Sequence, residues 1–408
     1  MPPYLAGREH ESREFSRLLN QDLVLENLIL TGLRGIGKTV LLDTLKPIAV
    51  QKGWFWTCAD LSESSSVSED SLALRLLADL ALVTNSIVTE VKLHEKIGFM
   101  PSTERDTMVL NFASLKSIYD EIPGLIADKL KGVLEFAWTY IKKGERRGIV
   151  FAYDEAQNLE DHKIKDQYPV SLLLDVFQSI QRKGIRFMLA LTGLPPLFSK
   201  LVEARTYAER MFHIVFLDPL NEKQTIEAIH KPFEMANIPF QFSTETIHQI
   251  GKMTRGYPYF IQYVCREAFD IWVQATNSGI ETPNILTSIP LDAMDAIIRK
   301  LDADFFAGRW SRATDRQREL LGIIALLPNS GSEFTVQEIV EHQANKQLDK
   351  SFGSSHVNQM LGSLSEAGLI YKNRHGKYSF AVPLLENFIL RQAEHKSLHL
   401  LKLTTVGA

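Results

Sequence analysis

The 408-residue chain has only two cysteines, Cys58 and Cys265, far apart and with neither a C-x-x-C partner nor a histidine cluster nearby. That excludes a disulfide framework and a structural zinc centre, and it suits a reducing cytoplasm. No apolar stretch approaches 18 residues without a charge, and Met1-Pro2-Pro3-Tyr4 begins neither an n-region nor an h-region. Neither a membrane span nor an export signal is therefore expected. Repeats of fixed period and long low-complexity tracts are also missing. Nor is there a cationic excess: 45 Lys and Arg stand against 49 Asp and Glu, a net charge of -4. A surface wholly devoted to nucleic acid is thereby excluded. The charge is uneven, however, with twelve Lys and Arg against nine Asp and Glu from Arg309 onward. The last quarter of the chain permits DNA contact without demanding it.

What is present is ordinary globular composition, 45% hydrophobic and 23% charged, enough for two or three domains. Residues 32–39 read Gly-Leu-Arg-Gly-Ile-Gly-Lys-Thr, an unbroken G-x-x-x-x-G-K-[ST] after the apolar run Leu28-Ile29-Leu30. This is the pattern of a phosphate-binding loop between a strand and a helix. Its glycines let successive N–H groups turn inward, and the following helix adds the positive end of its dipole. Gly32, Arg34, Gly35, Ile36, Gly37, Lys38, Thr39 and Val40 are the positions expected to surround the phosphates of ATP. Lys38 brings a full charge to the β- and γ-phosphates, and Thr39 is expected to ligate Mg²⁺. A second motif, Gly148 to Glu155, is a short apolar strand closing on two carboxylates. Asp154 is expected to hold Mg²⁺ through its water shell, and Glu155 to polarise the water that attacks the γ-phosphate.

Between these motifs, helical patterns at 38–50, 69–82 and 170–182 alternate with strand patterns at 53–58, 148–154, 185–191 and 214–217. Residues 118–143 read as one long amphipathic helix perturbed at Pro123-Gly124, and 86–117 as an insertion of loops and short helix. Alternation of this kind implies a parallel sheet covered by helices, with ligand at the carboxyl ends of its strands. Residues 221–307 carry only helical periodicity. Three further helices, at 316–327, 336–343 and 356–367, precede two short strands around Lys372-Asn373-Arg374-His375-Gly376-Lys377, which make a winged helix-turn-helix. The expected division is a P-loop NTPase core over 1–217, a helical lid over 218–307, and a winged helix with a C-terminal tail over 308–408.

Taken together, Gly7-Arg8-Glu9, the P-loop, Asp154-Glu155, Thr192-Gly193, an arginine before Asp218-Pro219-Leu220, the helical lid and the winged helix resemble the initiator-type AAA+ ATPases. The related STAND ATPases, including the archaeal ATPase group, share the same features. That resemblance covers about residues 4–395 and implies that Thr192 senses the γ-phosphate and that the segment around Leu5 to Arg8 borders the adenine. It also implies an arginine finger supplied to a neighbouring subunit, either Arg210 or Arg205; such a finger accelerates hydrolysis roughly 10³-fold or more. Initiator-type members carry a G-x-x-R sensor in the lid. Here Gly256-Tyr257-Pro258-Tyr259 stands instead, similar to the G-x-P of STAND proteins, so Pro258 is expected at the base and ribose. Arg255 is the alternative cation. Without a lid arginine, slow cycling between ATP and ADP states suits the chain better than fast turnover.

In the winged helix the third helix offers His356, Asn358, Gln359 and Ser363 but no Lys or Arg, while the wing offers Lys372, Arg374 and Lys377. Weak, salt-sensitive contact with the backbone of duplex DNA follows, with little base readout. His375 reads as a turn residue. Two functions remain open: an ATP-driven switch that binds DNA and assembles through its ATPase face, or a STAND-like signalling or defence ATPase whose winged helix contacts an unidentified protein partner.

Overall fold

The computed structural model describes residues 4–62, 68–93, 104–238, 240–278, 285–286, 289, 291–345, 352–374 and 376–393. Two compact units are present. One is formed by Arg8–Gly32 and Lys38–Leu217, the other by Met1–Gly7, Leu33–Gly37 and Asp218–Ala408.

The first unit begins with α1 (Glu9–Leu19), β1 (Asn27–Thr31), α2 (Lys38–Gln51), β2 (Trp54–Asp60) and α3 (Glu69–Thr84). It continues with β3 (Val88–Leu93), β4 (Glu104–Val109), α4 (Phe112–Glu121), α5 (Ile126–Ile141) and β5 (Gly148–Asp154). Then come α6 (Pro169–Arg182), β6 (Phe187–Gly193), α7 (Pro196–Ala204), α8 (Ala208–Met211) and β7 (Phe212–Phe216). Five strands form one sheet in the order β2-β5-β6-β1-β7, every neighbouring pair parallel. β1, β5 and β6 are buried at every position, whereas the outer strands β2 and β7 are only partly covered. Continuous apolar runs in the middle of the sheet follow from coverage of both faces. One buried polar residue stitches the centre: the Asn27 amide donates to the Met211 carbonyl at 3.2 Å, and its Oδ1 accepts from the Leu189 N–H at 2.8 Å.

Two expectations are corrected in this unit. The single helix over 118–143 is two helices, because Pro123 forces Ile122 into extended backbone (ψ 122°) and Gly124 turns to φ 113° before α5 starts. The insertion holds an antiparallel hairpin, β3 with β4, whose pairing runs from Val88 opposite Val109 to Leu93 opposite Glu104. Charged residues interleaved with Val and Thr hide its period-2 pattern. Residues 94–103 lie outside the described residues, as do 63–67 in the Ser-rich turn.

The second unit carries α9 (Glu222–Met235), β8 (Gln241–Phe242), α10 (Thr244–Thr254), α11 (Pro258–Asn277), β9 (Ile285–Leu286), α12 (Leu291–Leu301) and α13 (Ala307–Trp310). It goes on with α14 (Asp315–Ala325), α15 (Val336–Asn345), α16 (Ser354–Glu366), β10 (Ile370–Arg374) and β11 (Lys377–Phe380). Side-chain caps set the helix starts. Asn221 and Gln224 form a capping box at α9, Thr314 and Gln317 another at α14. β8 and β9 pair in parallel, a contact too short to leave a sequence period. Between α12 and α13 the backbone makes a π-helical turn over Asp302–Phe306. A single apolar cluster joins Phe260 and Phe306 to Phe334, Leu361 and Phe388. β10 and β11 are antiparallel, and Phe334 exchanges two 2.8 Å backbone hydrogen bonds with Tyr378, adding a third short strand position beside the hairpin. Residues 394–408 of the tail lie outside the described residues.

One buried ionic group props the first unit. Asp79 on α3 is fully buried and takes a bidentate contact from Arg75, with Nε at 3.0 Å, while the Tyr153 hydroxyl donates to it at 2.8 Å. Tyr153, the residue before Asp154, is itself fully buried, and burial pushes its phenol well above the ordinary range. Removing the carboxylate strands a buried hydroxyl and half-strands the guanidinium. Asp79→Ala is therefore expected to destabilise the fold by about 2–4 kcal/mol, read as a lower midpoint in urea unfolding. A change below about 0.5 kcal/mol shows that the network is not a support.

Candidate nucleotide-binding site

β1 ends at Thr31, and the loop Gly32 to Gly37 delivers Lys38 as the first residue of α2. Gly35 and Gly37 take φ of 77° and 94°, values open to glycine at no steric cost. At Gly35 a second constraint applies. A Cβ there would come within 3.0 Å of the Tyr259 Cβ, and the Gly35 carbonyl accepts the Tyr259 N–H at 3.1 Å. Within the second unit the loop tip is thus joined to the start of α11. Lys38 is buried, and its Nζ donates to the Gly32 carbonyl at 2.9 Å. Thr39 is exposed, Ile36 buried and Val40 half-buried. Arg34 has a buried Nε with no hydrogen-bond partner among the described residues.

At the carboxyl edge of the sheet, register brings the second motif beside the head of α2. Tyr153 pairs with Leu191 and Leu30 with Thr192, so Asp154 and Thr192 end adjacent strands next to the strand that feeds the loop. Asp154 is 4% exposed, and both its oxygens are engaged: Thr39 Oγ1 donates to Oδ2, and Thr192 Oγ1 and the Glu155 N–H, at 2.8 Å, donate to Oδ1. Among the described residues no Lys or Arg pairs with it. A buried carboxylate flanked by hydroxyls and lacking a side-chain cation fits a hard divalent cation such as Mg²⁺.

Glu155 sits in the left-handed region at φ 51° and is partly exposed. Its carboxylate is met by Gln157 Nε2, while Gln157 Oε1 accepts the Leu194 N–H at 3.0 Å. Sequence reasoning missed Gln157. A lone glutamine in a turn carries no signal, and its partner lies 37 residues further along the chain.

The remaining expected residues scatter. Arg8 is buried at the head of α1 and contacts Glu11 at 3.2 Å. Pro258 is the first residue of α11, after a turn in which Gly256 (φ 74°) lies so close to the Leu220 carbonyl that a Cβ would fall 2.1 Å from it. Arg255 pairs with the buried Glu386 and reaches Asn387. Arg205 is likewise committed, held by Asp175 with Nη2 at 2.7 Å while Tyr207 shares the same carboxylate. Each of these two arginines thus has an ion-pair partner within its own unit. Arg210 is exposed and stands two residues before β7, whose first residue aligns with Asn27 at the amino end of β1. It therefore lies towards the amino edge of the sheet, opposite the carboxyl edge where Asp154 and Thr192 stand, and lines a groove with Leu25, Gln178 and Arg182.

In the C-terminal segment Asn358, Gln359 and His356 are exposed on α16, Lys372 is exposed and Lys377 half-exposed. Arg374 faces Lys377 in the hairpin register; its side chain, like His375, lies outside the described residues.

The backbone has close counterparts among solved structures. A Walker-type ATPase of Pyrococcus abyssi superposes with a TM-score of 0.55 at 16% identity, over 94% of this chain and 96% of that one. The ORC2 protein of Aeropyrum pernix, in an ADP form, gives 0.52 at 14% identity, with 96% of each chain covered. The fold is that of an α/β P-loop NTPase. Residues 303–389, in the second unit, match a family described as a domain of unknown function, DUF8462. No curated protein matches the chain in sequence.

Proposed function

We propose that the protein binds ATP with Mg²⁺, hydrolyses it slowly, and works as a nucleotide-driven switch. The observation that carries this reading is the meeting of Thr39, Asp154 and Thr192 at the mouth of a glycine loop that delivers Lys38. In this reading the loop N–H groups and Lys38 bind the triphosphate, Thr39 and Asp154 hold Mg²⁺, and Arg8 and Pro258 flank the nucleoside. Bound Mg²⁺ would neutralise charge on the β- and γ-oxygens. Glu155 accepts the proton of the attacking water as the new P–O bond forms and the bond to ADP breaks. Thr192 registers the γ-phosphate through the carboxylate it shares with Thr39. Lys38→Ala is expected to abolish ATP binding by calorimetry, and Glu155→Gln to keep binding but stop turnover. Unchanged ATP affinity in the first, or unchanged turnover in the second, rejects these roles.

Self-association follows from Arg210. At the edge opposite its own Asp154 and Thr192 it cannot serve its own nucleotide, and a neighbouring copy is the recipient that fits an arginine finger. Arg210→Ala should bind ATP and lose turnover, and mixing it with Glu155→Gln should restore activity at mixed interfaces. Turnover independent of protein concentration, with no rescue on mixing, rules the finger out.

The three C-terminal helices and hairpin supply the second half of the proposal: a winged helix whose wing contacts the phosphates of duplex DNA in the cytoplasm. Among the described residues no helix is long and apolar enough to cross a membrane. Lys372, Arg374 and Lys377 allow at most three ion contacts, so log K should fall with log salt at a slope of about −3 per wing. One wing binds feebly, and ATP-favoured assembly should tighten binding by linking several. Changing all three to Ala should erase both binding and salt slope while leaving basal ATPase activity intact. The exposed face of α16, which carries no cation, favours the second reading, a STAND-like ATPase whose C-terminal segment contacts protein. Absence of DNA binding by the parent at low salt with ATP decides for it.

A further inference from the structure

We infer that Gln157 is a positioning residue for hydrolysis, holding the Glu155 carboxylate in the pose from which it accepts the proton of the attacking water. The inference rests on the ATPase reading above.

Glu155 is a non-glycine residue at φ 51° and ψ 34°, a conformation that costs on the order of 1 kcal/mol and persists only where the surroundings impose it. Three contacts impose it here. The Glu155 N–H is taken by the Asp154 carboxylate at 2.8 Å, its carbonyl accepts the Asn158 N–H at 3.0 Å, and its side chain is met by Gln157 Nε2. The orientation of the Gln157 amide is determined by its other partner. The Leu194 N–H, 3.0 Å away, can only donate, so the amide oxygen must face it and the NH₂ must face Glu155. Gln157 is anchored in turn through its own carbonyl, which accepts the Lys200 ammonium at 3.1 Å.

Leu194 follows directly after β6, two residues beyond Thr192. The glutamine therefore ties the base to the end of the strand that carries the buried Thr192 hydroxyl. Asp154 Oδ1, which accepts from both the Thr192 hydroxyl and the Glu155 N–H, gives a second tie between the same two points. A base oriented by a third group is the arrangement that general-base chemistry requires, since misplacement by about 1 Å costs roughly 10²-fold in rate. In the reaction the water oxygen bonds to the γ-phosphorus, its proton passes to Glu155, and ADP leaves with the electrons of the broken P–O bond. Gln157 keeps its protons throughout.

The test uses the full chain and ATP. Gln157→Leu should lower kcat roughly 10- to 100-fold with KM and calorimetric ATP affinity unchanged, because the residue acts through the carboxylate of Glu155. Gln157→Glu keeps an acceptor for the Leu194 N–H, so it leaves the turn tied, but sets a second carboxylate against Glu155. Two carboxylates in one site share a proton, and the acid limb of the kcat profile should therefore move to higher pH. A purely structural role would lower thermal stability or raise KM and leave that limb in place. If Glu155→Gln is inactive while Gln157→Leu keeps or raises kcat, the positioning role is overturned and the ATPase reading stands. A parent whose turnover is indifferent to Glu155→Gln overturns both.

Discussion

A buried carboxylate that no Lys or Arg pairs with among the described residues is the constraint around which the first unit is organised. Asp154 ends β5, a strand buried at every position, and the hydroxyls of Thr39 and Thr192 and the N–H of Glu155 converge on it. Burying such a charge is costly unless it is hydrogen-bonded on every side. The parallel sheet supplies those partners, because adjacent strands running the same way end at the same edge. β1 brings the loop and Thr39, β6 brings Thr192, and the turn after β5 folds Glu155 back. Beneath this edge the Asp79–Tyr153 hydrogen bond and the Asn27 contacts hold the strands that carry these residues.

The second unit has a different cohesive principle. Aromatic rings succeed one another from Tyr259, whose N–H reaches the loop tip, to Phe305 at 4.9 Å, Phe260 to Phe306 at 6.0 Å, and Phe306 to Phe388 at 5.2 Å. Arg309 lies over Phe305 at 4.5 Å, and burial, with Arg34 and Arg312 nearby, draws its basicity down. One apolar cluster thus runs from the turn beside the glycine loop into the C-terminal helices. The Arg255–Glu386 pair crosses the same ground with charge. A cation that sequence alone offered to the phosphates joins two parts of this unit.

Legibility in the sequence followed the range of the interaction concerned. The glycine loop, the strand before it and the helix after it are local, and so were readable from spacing. Asp154 and Glu155 were readable because an apolar run ending in two acids is a contiguous pattern. The helix starts at Asn221 and Thr314, each set by a cap residue three positions before its partner, were not read from the sequence, where only the apolar periodicity of the helix bodies was used. The hairpin β3–β4 was not legible, since its strands mix charged and β-branched residues and the described pairing closes across residues 94–103. The break at Pro123-Gly124 was visible as a perturbation but underestimated. A proline there constrains the residue before it as well as itself.

The sequence by itself determined which chemistry is available: a loop able to wrap phosphates, a lysine and a threonine at the head of its helix, and a pair of acids at the end of a strand. Those features depend on residues a few positions apart, where backbone geometry translates spacing directly into direction. Only the tertiary structure decided which arginines are engaged in ion pairs, that Thr192 and Thr39 share one carboxylate, and that Gln157 grips Glu155. Each of those outcomes is a contact between residues brought together by strand register or helix packing, and a side chain's partner at that range is set by the fold and by the competition among neighbouring charges.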